Sequence, residues 1–193
     1  MHIALVLNGI PPHADWSQFD FVICADGGAR HVLEPNLVVG DGDSYDGPVH
    51  FSADPVKDET DGELALEQAL ARSPTRLTIL GGHGGRTAMF LANLKLLRRA
   101  HDHCDASMVH EGETIRYVLA GETLQVPAGT LNILAVSDDA HVSIDGAEWS
   151  GSFALPQTTA QGVSNPVPES ATVRVESGCV MVIHETESTT RPE

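Results

Sequence analysis

Three carboxylates fall within six residues of the segment NLVVGDGDSYDG: Asp41, Asp43 and Asp46, in a chain whose formal net charge is already −16. A solvated turn accounts for the residue types, because Gly, Asp and Ser are what turns use. A calcium loop does not. Counted from Asp41, the fifth, sixth and twelfth positions are Tyr45, Asp46 and Ser52, where an EF-hand needs an Asp or Asn, a Gly and a Glu. A third reading starts from Leu37, Val38 and Val39, which read as a buried strand. Asp41 and Asp43 then stand at its carboxyl end, where open α/β sheets bind ligands. On this stretch alone, turn and site both stay open.

Other segments repeat the arrangement. ICADGGA sets Asp26 after a strand and follows it with Gly27 and Gly28, which let the backbone come close to a ligand. KDETDGELAL puts Thr60 three residues before Glu63, a capping-box pattern that sets Asp61 in the first turn of a helix. Capping alone would explain Thr60 and Glu63. ILGGHGGRTAMF runs from a strand through four glycines and His83 to Arg86 and a second helix. Such a turn offers N–H groups to an anion, and Arg86 a bidentate donor to phosphate. It is neither a Walker A sequence nor GxGxxG. Together these residues describe a cleft with carboxylates for a divalent cation and with glycines, Lys57 and Arg86 for phosphate oxygens, the inventory of phosphoryl transfer.

Elements must position them. IALVL, FVIC, LVV and LTIL read as buried strands, alternating with helical spacing in ARHVLE, DGELALEQALAR and AMFLANLKLLRRA. That alternation predicts an α/β N-terminal domain with a mostly parallel sheet over residues 1–105. From residue 106 to 185 short alternating segments such as TLQVPA, LNILAV and TVRVESG predict an all-β antiparallel sandwich or barrel. The polar tail, 186–193, is expected to be disordered.

Composition narrows the partners. The chain has 193 residues, 41% of them hydrophobic, enough for packed cores. Twenty-seven acidic against eleven basic side chains oppose a phosphate backbone, so no nucleic acid is expected. A phosphorylated small molecule remains compatible if a cation mediates. No run approaches the roughly 20 apolar residues of a membrane span and Met1 to Leu7 lacks signal-peptide character, so a cytoplasmic location is expected. Cys24, Cys104 and Cys179 lack CxxC spacing and read as reduced thiols. His101 and His103 stand at i, i+2, which on a helix point to different faces and argue against a histidine metal site.

Taken in order, ADGGA (Ala25 to Ala29), PNLVVGDGDS, KDETDGELAL, GGRTAMFLAN, GAEW (Gly146 to Trp149), VSN (Val163 to Asn165) and VESGCVMVI resemble the thiamine pyrophosphokinases, over nearly the whole chain. The resemblance implies transfer of diphosphate from ATP to the hydroxyl of thiamine, giving AMP and thiamine diphosphate, in a homodimer with sites between subunits. It implies that Asp41, Asp43 and Asp61 hold Mg²⁺ and the triphosphate and are the catalytic residues. Asp26, Lys57, Thr60 and Arg86 would line the nucleotide cleft. Ser164 and Asn165 would contact thiamine, with Trp149 packed near it; a core or interface role for Trp149 is an equal alternative.

The match has gaps. Family members usually carry an aspartate two positions after the arginine of the GGR turn, often followed by His or Gln; here those positions are Ala88 and Met89. A methyl group neither accepts a hydrogen bond nor holds a cation. Another acidic residue could substitute, and Glu59 and Asp58 are candidates by proximity in sequence to the other site residues. Gly42 also replaces a commonly bulky residue. Two alternatives follow: a diphosphokinase for another hydroxymethyl heterocycle such as a pterin, and a catalytically impaired nucleotide-binding relative.

Overall fold

The computed structural model describes residues 1–52 and 58–186. Lys57 lies outside them, as does the expected disordered tail apart from Thr186, whose backbone N–H and hydroxyl both donate to the Gly112 carbonyl at 2.8 and 3.0 Å. The chain divides into two compact units, Met1–Glu111 and Gly112–Glu193.

Among the described residues six strands build the first unit: β1 (His2–Val6), β2 (Phe21–Ala25), β3 (Leu37–Gly40), β4 (Phe51–Ser52), β5 (Arg76–Leu80) and β6 (Asp105–His110). Every pairing is parallel, in the order β6-β5-β1-β2-β3-β4. Parallel strands are covered on both faces, which requires apolar side chains in both directions; Ile3, Ala4, Leu5 and Val6 are all 0% exposed. Helix α1 (Asp61–Leu70) packs on β2 and β3, burying Ala65, Leu66 and Ala69. Helix α2 (Thr87–His101) packs on β6 and buries Leu94, Leu97 and Ala100 among others. The capping box is complete: Glu63 N–H donates to Thr60 Oγ1, and Thr60 N–H to the Glu63 carboxylate at 2.8 Å. It holds the first turn of α1, and Asp61 with it.

The second unit is antiparallel. It comprises β7 (Glu113–Leu119), β8 (Thr123–Ala135), β9 (His141–Asp145), β10 (Gly151–Ala154), β11 (Asn165–Ser177) and β12 (Cys179–Glu185), in the order β10-β9-β11-β8-β12-β7. Val126, Leu131, Ile133, Val142, Val173 and Val182 belong to its core.

The architecture corrects the expected fold class. Among the described residues strand far outweighs helix: the first unit is not a helix-rich α/β layer, and the strands of the second follow one another in a single antiparallel order. Helices are sparse: α1 has 10 residues, α2 has 15, and no other α-helix occurs among the described residues. The segment after β2, read as helical, folds only a 3-10 turn at Asp26–His31, because two glycines and a short span to β3 leave no room for a packed helix. Segments read as separate strands fuse: TLQVPA and LNILAV are both parts of β8, thirteen residues long. Its Pro127 pairs with Ser170 beside the register shift between Val167 and Ser170, an irregularity where a residue lacking an N–H costs the ladder little.

Candidate active site

Strand order fixes where a ligand can enter. From β1 the chain proceeds outward to β2, β3 and β4, then returns through α1 to β5 on the other side of β1. Connections leaving neighbouring strands in opposite directions open a crevice at their carboxyl ends. There a cleft of about 550 Å³ forms. Leu7 and Asn8 line it after β1, Asp26 after β2, Asp41, Asp43 and Ser44 after β3, and Gly85 and Arg86 after β5. The starts of α1 and α2 complete it with Glu59, Thr60, Asp61 and Gly62, and with Met89 and Asn93.

The turn after β2 is pressed onto β1. A Cβ on Gly28 would sit 2.3 Å from the Val6 carbonyl oxygen, and one on Gly27 2.4 Å from Asn8 Cγ. Only glycine permits that approach. Asp26 is folded under with φ 39°, a conformation in which Asp is among the tolerated non-glycine residues.

Asp26 is 4% exposed. Its Oδ2 accepts a hydrogen bond from Ser44 N–H at 3.1 Å, while buried Oδ1 has no hydrogen-bond partner. Burial pushes its carboxyl above the usual range; the Ser44 bond opposes this, and Asp43 and Asp61 add to it. Asp26, Asp41 and Asp43 each offer an oxygen within 4.8 Å of the others'. Asp43 N–H donates to Asp41 Oδ1 at 3.2 Å and Ser44 Oγ to Asp43 Oδ1 at 2.7 Å, which fixes the loop. Three converging carboxylates, one with an orphaned buried oxygen, fit a hard divalent cation, which prefers oxygen ligands and satisfies charge that water does not reach.

Asp26, Asp41, Asp43, Thr60, Asp61 and Arg86 thus share one cleft. Asp26 joins the three-oxygen cluster, and Asp61 lines the same cleft from the first turn of α1. Of Glu59 and Asp58, weighed as substitutes for the carboxylate missing at Ala88, Glu59 lines the cleft. Asn8, Ser44 and Asn93 were not singled out by sequence. Asn8 had a signal, as the first polar residue after an apolar run; Asn93, 9% exposed, is hidden within a helical stripe.

Ser164, Asn165 and Trp149 belong to the second unit. Trp149 and Asn165 line an apolar pocket of about 210 Å³ with Ile133, Ile144, Phe153 and Leu155. Asn165 is 3% exposed and Trp149 54%. Ser164 has φ 60° and its N–H donates to Asn132 Oδ1 at 2.8 Å.

Residues 13–108 match the model of the thiamin pyrophosphokinase catalytic domain. The chain belongs to the thiamin pyrophosphokinase family. Solved structures agree on the fold. A thiamin pyrophosphokinase family protein from Enterococcus faecalis is 25% identical with a TM-score of 0.82, covering 97% of this chain and 100% of that one. The thiamine pyrophosphokinase from Bacillus subtilis is 22% identical, also at 0.82 with the same coverage, and the yeast enzyme is 15% identical at 0.71, covering 96% and 86%. A comparison with curated proteins gives no match. The family is one of kinase-type enzymes. Among the described residues no helix is long and apolar enough to cross a membrane.

Proposed function

We propose that this family member transfers a diphosphoryl group from ATP to the hydroxyl of thiamine, releasing AMP. The observation that carries the reading is the convergence of Asp26, Asp41 and Asp43 within 4.8 Å in a cleft that Arg86 also lines. Like charges gathered at a buried oxygen favour a proton or a bound cation, and a guanidinium lining the same cleft suits phosphate. Asp26, Asp41 and Asp43 would hold Mg²⁺, with Asp61 beside them. When bound, it supplies charge neutralisation to the phosphate oxygens.

The remaining work falls to the chain. Arg86 and the glycine-rich turn orient the triphosphate, and Thr60 keeps Asp61 at the head of α1. We assign Asp61 to receive the proton of the attacking hydroxyl. Asn165 acts on thiamine through Trp149, whose backbone it holds, with Ser164 adjacent; the family resemblance supports their supply by the partner subunit of a homodimer in the cytoplasm.

The test is AMP release from ATP and Mg²⁺ with and without thiamine, a pterin alcohol serving as control, for wild type and Asp43→Asn. AMP formed only with thiamine, and reduced about 100-fold or more in the variant, is the expected result. Turnover with the pterin alone would reassign the acceptor. Nucleotide binding without turnover would make the protein a binding relative.

A further inference from the structure

In the second unit, core-facing rows of side chains turn polar at one end. Residues on β7 alternate between faces, so Thr114 and Arg116 share the face of Val118, which belongs to the core. The register sets Arg116 beside Val182 and Thr114 beside His184 on β12, and Val182 is buried. A row directed at valines thus ends in a guanidinium, a hydroxyl and an imidazole. Strand β8 pairs with β12 only over residues 130–135, and its earlier part closes the other side. Between them lies a cavity of about 230 Å³, to which Leu124, Val126 and Pro127 add an apolar wall and Gln125 an amide. It shares no lining residue with the cleft or with the Trp149 pocket.

Its polar groups are already oriented. The Thr172 hydroxyl donates to Gln125 Oε1 at 3.1 Å, which leaves the Gln125 NH₂ as a donor. Buried His184 bonds the Ala128 carbonyl through Nε2 at 3.1 Å; a carbonyl only accepts, so that nitrogen carries a proton and the ring is fixed. Arg116 offers donors alone. No acidic residue lines the cavity, in a chain whose formal charge is −16.

We propose that this cavity is a second ligand site, for a small aliphatic monocarboxylate. One guanidinium among neutral groups balances one negative charge, and its planar fork matches a carboxylate in two parallel bonds. Thr114 and Gln125 supply further donors to its oxygens. Leu124, Val126, Pro127 and Val182 take the aliphatic body, removing its surface from water. At about 230 Å³ the cavity is smaller than the roughly 300–1,000 Å³ of sites for drug-sized ligands, which limits the occupant to a short chain. The site is independent of the diphosphoryl-transfer reading, since no residue is common to both.

The experiment titrates the full chain with isovalerate, its neutral counterpart isovaleramide and inorganic phosphate, following the His184 ring and the Thr114 methyl group by NMR. Wild type should show saturable shifts at both residues with isovalerate, at an affinity about 10-fold or more above that for isovaleramide, the value of a charge-assisted hydrogen bond. Inorganic phosphate, which has no aliphatic body, should bind more weakly than isovalerate. Arg116→Gln should bring isovalerate down to the affinity of isovaleramide, and Arg116→Lys, which keeps the charge and loses the fork, should lie between. Gln125→Ala, at an exposed position, should weaken isovalerate by about 2–10-fold, the value of one hydrogen bond. Equal affinity for acid and amide overturns the proposal, as does saturation without shifts at His184 and Thr114. Phosphate binding as tightly as isovalerate also overturns it, and would make Arg116 a general anion contact at the end of the core. Should Arg116→Gln fail to fold, the wild-type comparison and Gln125→Ala decide.

Discussion

The side-chain amide of Asn165 grips the backbone of Trp149 from both sides: Oδ1 accepts from the Trp149 N–H and Nδ2 donates to its carbonyl, each at 3.0 Å. Both ends of the amide are thereby engaged within the protein and the residue is 3% exposed, so Asn165 is a positioning residue whose effect on any ligand passes through the Trp149 loop. Asn165→Ala is expected to lower stability by about 1–3 kcal/mol, since two bonds to a buried amide are lost, read as a lower urea midpoint. Trp149→Ala, which removes a side chain 54% exposed, should shift the midpoint little. Both should raise KM for thiamine.

Asp26 sets stability against function. Its carboxyl is held above the usual range in the fold, chiefly by burial. The folded state therefore binds that proton more tightly than the unfolded chain does. The stabilisation is present below the unfolded value and is lost as pH rises through the folded one. At neutral pH without a cation Asp26→Asn should raise Tm by about 2–4 °C, what 1 kcal/mol is worth in a chain of this size. It should also lower Mg²⁺-dependent activity about 100-fold or more.

Thr60→Ala removes the acceptor for the Glu63 N–H and breaks the capping box. The expected cost is about 1 kcal/mol. Because Asp61 is the next residue, kcat should fall more than thermal stability alone predicts; Thr60→Ser, which restores the hydroxyl, should recover both. Equal, small losses in the two variants would confine Thr60 to capping.

The first turn of α2 contains no acidic residue, and its N-cap, Arg86, makes no side-chain cap hydrogen bond. Ala88→Asp places a negative charge there. Stability should rise by about 0.3–1 kcal/mol through the helix dipole, measured by denaturant titration. Thiamine turnover should rise with it, since a carboxylate returns to the edge of the cleft. A variant more stable but no faster would show that Glu59 already serves.

Arg86→Lys keeps the charge and loses the fork. A loss of about 10–100-fold in kcat/KM with ATP is expected, the cost of exchanging a bidentate contact for a point charge.

The residues that line the cleft were legible in the sequence because Asp and Gly at strand ends advertise themselves locally. Asp26, Asp41, Asp61 and Arg86 each follow an apolar run or precede a periodic one, and the parallel register brings them to one cleft. The fold class was less legible. Proline and glycine punctuate a sequence, yet Pro127 and Gly129 lie inside a single strand, where a bulge absorbs them. The 3-10 turn at Asp26–His31 was misread because apolar spacing does not report the room available between two adjacent strands. Asn93 was invisible, since a lone amide in an apolar stripe acquires meaning only from what packs across it.

The central place of β1 has a consequence for how the chain is made. One flank of β1 pairs with β2, its neighbour in sequence, while the other pairs with β5, at residues 76–80. During synthesis, residues 3–6 present an unpaired, wholly apolar edge until β5 has emerged, a surface that invites association between nascent chains. Arg86 closes the glycine-rich turn that leaves β5, so the strand that closes this edge also delivers that turn to the carboxylates. The interval of greatest aggregation hazard thus ends as the cleft becomes able to take up a nucleotide, and nucleotide in the surrounding solution would favour the closed state by mass action.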